Sequence, residues 1–435
     1  MSDLLRNSMA AGFLASSALL AAPVGIALVG KGSVPGSSLD KSGLTGDNCQ
    51  DSDPENCVPK AILGGFGSGM TYTGHDNVFV AAPDRGPFDG LTDVPYLDRM
   101  HFFHMVTEVG KPFPNIKPLL LDTRFLSGNS GEEFLGGAGA FDLRFDPEGI
   151  RVTPDGTVFI SDEYGPFLKE FNRQGHLVRS IEVPEKFSIA NPGADPSAEL
   201  LGNAAGRQAN RGMEGLAISP DGSTLFGIMQ NALIQDHGLN PGTTDRLGIN
   251  GRILKVDLAS GATREFVYQV EAINRGQGVS EILAINDHEF LVLERDNRSW
   301  LAASPQAPTR KKIWKIDVSA ATDVSGIESL PAGALPPGTV PVAKTLFIDL
   351  LDPAFGLNLN NADAIAEKIE ALSWGPDLPN GDHLLYVVSD NDLNPALATQ
   401  IFAFSIGKNL INLQPQILPE PLYPPGQVKK ALRVK

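Results

Sequence analysis

Five stretches of the chain share one plan. Each has a small or acidic start, an apolar strand, a tight turn, a second apolar strand and an acidic or amide end. The turns contain Gly, Pro, Asp or Asn, as in Thr153-Pro-Asp-Gly156 and Ser219-Pro-Asp-Gly222, and these residues favour reverse turns for backbone reasons. Each stretch therefore predicts an antiparallel hairpin. The five hairpins span residues 68–86, 146–165, 213–231, 280–296 and 370–391.

A second pair of apolar segments follows most of the hairpins, for example residues 252–257 and 264–268 after the third. Four strands per repeat, separated by long irregular loops, are typical of a β-propeller. The chain carries 46 glycines and 33 prolines in 435 residues, and such a content disfavours long helical bundles. We therefore expect an all-β fold, a β-propeller of about five or six four-stranded blades with long loop insertions.

The N-terminal segment differs in composition from the rest of the chain. Residues 7–30 carry no charge and lie between Arg6 and Lys31, which is typical of a secretory signal peptide. The run is also long enough to be an uncleaved membrane anchor, and retention in the cytosol is a third possibility. We expect an exported protein that is periplasmic, extracellular or anchored. The predicted division is an export segment at 1–30, a polar linker at 31–60, the propeller at 61–420 and a C-terminal tail at 421–435.

The chain has two cysteines, Cys49 and Cys57, in a polar segment close to the N-terminus. In an exported protein, two cysteines so close together predict one local disulfide bond.

Hairpin geometry predicts that the acidic ends meet. Residues equidistant from a turn lie side by side, so Glu148 should face Asp162, and Glu281 should face Glu294 to within one residue. If the hairpins form the inner strands of the blades, their ends surround one mouth of the central channel. The predicted ring comprises Asp84, Arg85, Glu148, Asp162, Glu163, Glu214, Gln230, Asn231, Glu281, Glu294, Arg295, Asp296, Glu370, Asp390 and Asn391.

Clustered carboxylates support two chemistries. A protonated and an ionised carboxylate can share acid and base work, or their oxygens can bind a hard divalent cation, of which Ca²⁺ is our first expectation. Arg85 and Arg295 would then hold an anionic oxygen. A structural role in turns and between blades is the alternative for any of these acids. The candidate cation ligands are Glu148, Glu214, Glu281 and Glu370.

These same residues resemble the phytase-like family described as having esterase-like activity of phytase. The resemblance covers about residues 61–410 and implies a secreted or periplasmic propeller with Glu and Asp residues in its active centre. It implies hydrolysis of esters or phosphodiesters. The matching motifs are Asp146-Pro-Glu148-Gly149-Ile150, Ser161-Asp162-Glu163-Tyr164-Gly165-Pro166, Glu214-Gly215, Ser219-Pro-Asp-Gly222, Glu281, Leu293-Glu294-Arg295-Asp296 and Ser389-Asp390-Asn391.

We therefore expect an ester hydrolase that uses carboxylates and a divalent cation at the channel mouth. The alternatives are a metal-dependent lactonase and a non-catalytic propeller that binds a ligand or partner. A formal charge of −16 argues against nucleic-acid binding. We also expect a monomer with a small ester substrate, and membrane contact only through an N-terminal anchor. The predicted catalytic residues are Glu148, Asp162, Glu163, Glu214, Glu281, Glu294, Arg295, Asp296, Glu370 and Asp390, and the predicted substrate-binding residues are Asp84, Arg85, Asn231 and Asn391.

Overall fold

The protein is a five-bladed β-propeller, which confirms the predicted fold class. The structure, a computed structural model, describes residues 25–433 apart from 51, 89–95, 137–142, 166–167, 194, 241, 272–277, 303 and 362. The predicted export segment falls mainly on residues 1–24, which lie outside the described residues.

Each blade is a four-stranded antiparallel sheet. Blade 1 contains β4 Gly69–Tyr72, β5 Val78–Ala82, β6 Arg99–Thr107 and β7 Ile116–Phe125; blade 2 contains β8 Pro147–Val152, β9 Val158–Asp162, β10 Leu168–Phe171 and β11 Leu177–Ile181. Blade 3 contains β12 Met213–Ile218, β13 Thr224–Met229, β14 Asn250–Asp257 and β15 Thr263–Gln269; blade 4 contains β16 Gly278–Ala284, β17 Glu289–Arg295, β18 Lys311–Asp317 and β19 Ala343–Asp349. Blade 5 contains β20 Lys368–Trp374, β21 His383–Asp390, β22 Thr399–Ile406 and, as its outermost strand, β1 Ile26–Val34.

The remaining elements are short. Strands β2 Asp47–Gln50 and β3 Asp53–Pro59 form a separate hairpin in which Cys49 is paired with Cys57. These two cysteines form a disulfide bond, as predicted. No helix in the described part of the chain is long and apolar enough to cross a membrane. The α-helices are α1 Pro196–Leu201 and α2 Pro425–Arg433, and 3-10 helices span Glu185–Phe187, Ile234–Asp236 and Pro353–Phe355.

Burial follows the order of strands within each blade. The first strands of the blades pack against one another in a closed ring, β4, β8, β12, β16 and β20. All residues of β8 and β12 are buried, whereas three of the five residues of the outer strand β11 are exposed. Strands covered on both faces need near-continuous apolar sequence, and this explains why the inner hairpins gave the strongest sequence signal.

Five apolar clusters fill the spaces between adjacent blades, one for each pair of neighbours. The space between blades 1 and 2 is also filled by the C-terminal segment, where Leu422, Tyr423 and Val428 are buried. The ring of Tyr423 lies 5.1 Å from that of Phe102, centroid to centroid. The region predicted as a tail thus ends in a helix that packs on the propeller.

The turns of the second and third hairpins have the predicted chemistry. Gly156 and Gly222 both have φ of +74°, a left-handed conformation that glycine adopts without strain. Their amides donate to the carbonyl oxygens of Thr153 and Ser219 at 3.0 and 2.8 Å, respectively. The Thr-Pro-Asp-Gly and Ser-Pro-Asp-Gly sequences therefore specify these turns locally.

The structure corrects the N-terminal boundary of the propeller. Strand β1 pairs with β22 over eight residue pairs, from Ile26 with Ile406 to Val34 with Thr399. Residues 26–34, which the sequence analysis divided between export segment and linker, therefore belong to blade 5. Hairpin symmetry could not show this, because the partner of β1 lies at the far end of the chain.

Gly32 provides a test of this closure. A side chain at this position would place its Cβ 2.7 Å from Ile116 Cβ and 2.9 Å from the Ile116 carbonyl oxygen in blade 1. We expect Gly32→Val to lower the free energy of unfolding by about 1–3 kcal/mol, the usual cost of overpacking, as measured by urea denaturation. The control is Gly326→Val, where the added Cβ meets no atom within 4 Å. Equal stability of the two variants would contradict the assignment.

Candidate functional site

The starts of the inner strands and the loops above them enclose a cavity of about 440 Å³, which we call the mouth cavity. Its lining is charged and carries both signs, so the mouth is less one-sidedly acidic than the sequence suggested. Its acids are Asp84, Glu148, Glu163, Glu199, Glu214, Glu367, Glu370 and Asp392, and its basic residues are Arg85, Arg144, Arg211, Arg246, Arg295 and Lys368.

Three inner strands present a glutamate to the mouth cavity from a β-bulge. In β12, Met213 pairs with Met229 and Gly215 with Ile228, so Glu214 is the extra residue. The same irregularity places Glu370 between the paired residues of β20 and Glu148 between those of β8. Bulges redirect side chains and are common beside active sites. The acids that recur at the start of the hairpins in the sequence thus correspond to a β-bulge that recurs in the inner strands.

Blade 4 breaks this pattern by one residue. In β16, Val279 pairs with Glu294 and Glu281 with Leu293, so the bulged residue is Ser280. Glu281 does not line the mouth cavity. Its carboxylate lies 2.9 Å from Arg151 Nη2 and accepts the backbone N–H of Ile282 at 2.9 Å. A one-residue slip in a strand moves a side chain to a different surface, and hairpin symmetry located Glu281 only to within one residue.

Five carboxylates come together beside the cavity, and four of them are in its lining. Oxygens of Asp84, Asp146 and Glu148 lie within 4.8 Å of one another, and so do oxygens of Glu148, Glu163 and Glu214. All five residues are buried. Two ionised carboxylates at such a distance repel by about 3–4 kcal/mol at an effective dielectric constant of about 20. The cluster therefore needs protons, basic partners or a cation.

The pKa values of this cluster respond to burial first. Burial raises the pKa of Glu148 well above its ordinary value, and the charges of Glu214 and Asp146 raise it further. Burial likewise raises the pKa of Glu214, with Glu163 as the strongest acidic neighbour. For Asp146, burial raises the pKa to about 7 although Arg85 opposes the shift.

The two carboxylate groups differ in their partners. Arg85 Nη1 lies 3.0 Å from Asp146, 3.3 Å from Asp84 and 3.7 Å from Glu163 Oε2, so it compensates the first group more closely than the second. In the second group, Glu163 Oε1 and Glu214 Oε2 are buried and have no hydrogen-bond partner among the described residues. Ca²⁺ binds oxygens at about 2.3–2.6 Å, so ligands on opposite sides of the ion lie about 4.8 Å apart. Glu148, Glu163 and Glu214 therefore have the donors and the spacing for a cation.

Basic side chains form the remaining wall. Arg295 is paired with Glu370, at the ends of neighbouring strands in blades 4 and 5. Arg211 donates to Gln230, which in turn donates to Glu214, so an arginine and a carboxylate of the cluster are linked through one amide. The guanidinium of Arg144 lies 3.8 Å from the centre of the Tyr164 ring. Such groups bind carboxylate or phosphate oxygens well.

Other predicted site residues contact backbone instead of the cavity. Asp162 accepts the N–H of Asp146 at 3.1 Å and that of Tyr164 at 2.9 Å. Asp296 accepts the N–H of Thr309 at 2.7 Å and lies 3.1 Å from Lys311. These contacts hold the strand ends that carry the mouth residues, which is the structural role that the sequence left as the alternative for any of these acids.

Four further predicted residues lie outside the lining of the mouth cavity. Glu294 accepts the hydroxyl of Tyr268 at 2.6 Å and pairs with Lys344. The others are Asp390, which accepts the Ser68 hydroxyl at 2.7 Å, Asn391, which accepts the Gly65 N–H at 2.9 Å, and Asn231, which is buried.

Several residues of the carboxylate cluster and of the mouth were not among the predicted site residues. Asp146 was within reach of sequence reasoning, because it begins the second hairpin. Arg144, Arg211 and Arg246 stand in long loops outside the repeated hairpins, and no local pattern marks them. Only the folded chain brings these loops over the channel.

Comparison with known proteins agrees with this architecture. A family model described as "Phytase-like: Esterase-like activity of phytase" matches residues 61–393, which include all five hairpins. The chain belongs to this phytase-like family. The resemblance seen in the sequence is thereby confirmed.

The phytase-like chain also matches individual proteins. It is 28% identical over 468 residues to a protein of Arthroderma benhamiae described as an "uncharacterized secreted protein", with 84% of this chain and 86% of the relative covered. Among solved structures, it is similar to virginiamycin B lyase from Staphylococcus aureus, with 10% identity, a TM-score of 0.33 and coverage of 86% and 99%. A luciferin-regenerating enzyme gives 10% identity, a TM-score of 0.33 and coverage of 82% and 97%. Structural likenesses this distant bear on neither site nor activity.

The placement of Glu281 predicts a pH effect on stability. Burial raises its pKa from 4.5 to about 7, so the unfolded chain ionises this group at lower pH than the folded protein does. Its stabilising contribution is complete below pH 4.5 and is lost as the pH rises to about 7, a change of up to about 3 kcal/mol. We expect Glu281→Gln to reduce the loss of unfolding free energy between pH 5 and pH 8, measured with urea.

The control for this experiment is Glu133→Gln, because Glu133 is exposed on a loop. This variant should keep the pH dependence of the unaltered protein. If Glu281→Gln also keeps it, the assignment of Glu281 as a buried titrating group is wrong.

Proposed function

We propose that this phytase-like propeller is an exported hydrolase of phosphate or carboxylic esters. The observation that carries the proposal is the pairing of two features in one cavity: converging oxygens of Glu148, Glu163 and Glu214, and arginines on the remaining wall. Carboxylates that hold a cation or move a proton, beside groups that stabilise negative charge, are what ester hydrolysis requires. Family membership supports the same reaction class.

Glu148, Glu163 and Glu214 are the residues we assign to a divalent cation, with Ca²⁺ as the first candidate. Such an ion, when bound, polarises an ester or phosphoryl oxygen and makes water a better nucleophile. The oxygens of Glu163 and Glu214 that lack hydrogen-bond partners support this assignment. Glu281, which the sequence also suggested as a ligand, is engaged with Arg151 and is left out.

The basic residues take the second role. Arg85 lines the mouth after β5 of blade 1 and Arg295 lines it at the end of β17 of blade 4, and both are held in place by carboxylates. They would bind the oxygen on which negative charge develops, since a positioned donor stabilises a transition state without reorganisation. Arg211 and Gln230 fix the orientation of Glu214. The arginines of the mouth thus give an anionic substrate a favourable environment despite the acidic composition of the chain.

Export is part of the proposal. The uncharged segment before Lys31 is typical of a signal peptide, and the relative from Arthroderma benhamiae is described as secreted. The disulfide between Cys49 and Cys57 is of the kind that persists in oxidising compartments.

Activity measurements test the catalytic part. We expect Glu148→Gln and Glu214→Gln each to lower kcat/KM on the best substrate of a phosphomonoester, phosphodiester, acyl ester and lactone panel by about 100-fold or more. The matched control is Glu289→Gln, because Glu289 begins β17 beside the Asn286 turn, at the other end of the blade. It should retain the activity of the unaltered protein.

The outcome on the panel also separates the candidates. Turnover of lactones alone would favour the lactonase that the sequence left open. Failure to hydrolyse any compound in the presence of Ca²⁺, Mg²⁺, Mn²⁺ or Zn²⁺ would refute the proposed hydrolase.

Calorimetry tests the cation. After treatment with a chelator, the protein should bind about one Ca²⁺ per chain, and an excess of 100 times Kd should stabilise the fold by about 2.7 kcal/mol. Glu163→Gln and Glu214→Gln should weaken binding at least tenfold, whereas Glu289→Gln should not. If titration with Ca²⁺, Mg²⁺, Mn²⁺ and Zn²⁺ gives no heat of binding, the proposed cation site is refuted.

A further inference from the structure

A second cavity adjoins the mouth cavity. It has a volume of about 620 Å³ and lies beside blade 5, between the β6–β7 loop, the segment after β17 and the loop between β21 and β22. We call it the side cavity. The two cavities share Glu367, Lys368 and Asp392 in their linings, so they adjoin at these residues. A ligand that crosses this shared edge has one group in each cavity.

The two cavities differ in chemistry. The mouth cavity is lined by acids and arginines, with few apolar groups. The side cavity has charged and polar lining residues too, but it adds a set of apolar ones: Phe113, Leu301, Leu397 and Phe402 together with several alanines. Phe113 is 48% exposed although it is a large apolar residue. Ligand sites of this size typically combine apolar walls with a few polar groups at one end.

The boundary between the cavities is a pair of side chains. Lys368 at the start of β20 is bonded to Asp392, which follows β21. Asp392 is 43% exposed in its side chain and Lys368 is 20% exposed, so neither is locked in a packed core. The long methylene stem of a lysine can lie along an apolar chain while its ammonium group stays with the acid.

We propose that the substrate is an amphiphilic ester whose reacting group lies in the mouth cavity and whose apolar acyl group occupies the side cavity. This inference rests on the proposed hydrolase function and names its substrate class. A uniformly polar polyphosphate would leave the apolar wall in contact with water and would gain nothing from it. Burial of each methylene group increases the binding constant about fourfold at most. An acyl group that fills the side cavity is therefore strongly preferred over an acetyl group.

Chain-length dependence tests this. With 4-nitrophenyl acetate, butyrate, hexanoate and octanoate, kcat/KM should rise at least tenfold from acetate to hexanoate. Phe113→Ser and Leu397→Asp should abolish most of this rise while changing acetate hydrolysis less than threefold. The control is Leu346→Ser, because Leu346 is 51% exposed on the outer strand β19 and lies in neither cavity. This variant should keep the full dependence.

This experiment distinguishes a failure of the inference from a failure of the proposed function. If acetate and hexanoate are hydrolysed with similar kcat/KM, or if the rise survives in both cavity variants, the side cavity does not bind the apolar group and the inference is overturned. If none of the esters or phosphoesters is hydrolysed, the proposed function fails instead. Binding then decides the inference: calorimetry should show hexanoate binding more tightly than acetate, and Leu397→Asp should remove the difference. Equal affinities for hexanoate and acetate would overturn it.

Discussion

Strand β1, the first described strand of the chain, pairs with β22, the last one, and this pairing closes the propeller. The site depends on that closure. A propeller with an open fifth blade would expose the edge of β22, whose backbone groups pair with β1 from Ile26 to Val34. It would also lose Ile26 from the apolar cluster between blades 4 and 5 and Val34 from the cluster between blades 5 and 1. The inner strands hold the mouth residues at their relative positions only while the ring is complete.

Within that ring, β-bulges place the acids. A regular strand would alternate its side chains between the two faces of a blade, and both faces are packed against neighbouring blades. The bulges at Glu148, Glu214 and Glu370 allow a polar side chain to leave this alternation at the channel mouth. Blade 4 uses Ser280 at the same point. The site is therefore asymmetric although the backbone repeats, and the converging carboxylates come from blades 1, 2 and 3.

The charges of the mouth are balanced locally. A buried carboxylate without a partner is costly, and removal of one member of a buried pair usually destabilises a protein strongly. Arg85 lies closest to Asp84 and Asp146 and also 3.7 Å from Glu163, and Arg295 pairs with Glu370. Glu163 and Glu214 each keep one oxygen without a hydrogen bond among the described residues. These two oxygens thus belong to the group of Glu148, Glu163 and Glu214, whose spacing suits a cation, and arginines line the same cavity.

The amino-acid sequence by itself determined the hairpins, their turns, the disulfide and the fold class. These depend on local properties: apolar runs of strand length, left-handed glycines such as Gly156 and Gly222, and two cysteines close in the chain. It also indicated the end of the blades at which acids collect. The tertiary structure alone decided which acids converge, because Glu281 stands one residue after the bulge in β16 and so contacts Arg151 instead of the mouth. It likewise decided the closing strand β1 and the arginines Arg144, Arg211 and Arg246, since strand pairing and loop packing across long sequence separations leave no periodic trace in the chain.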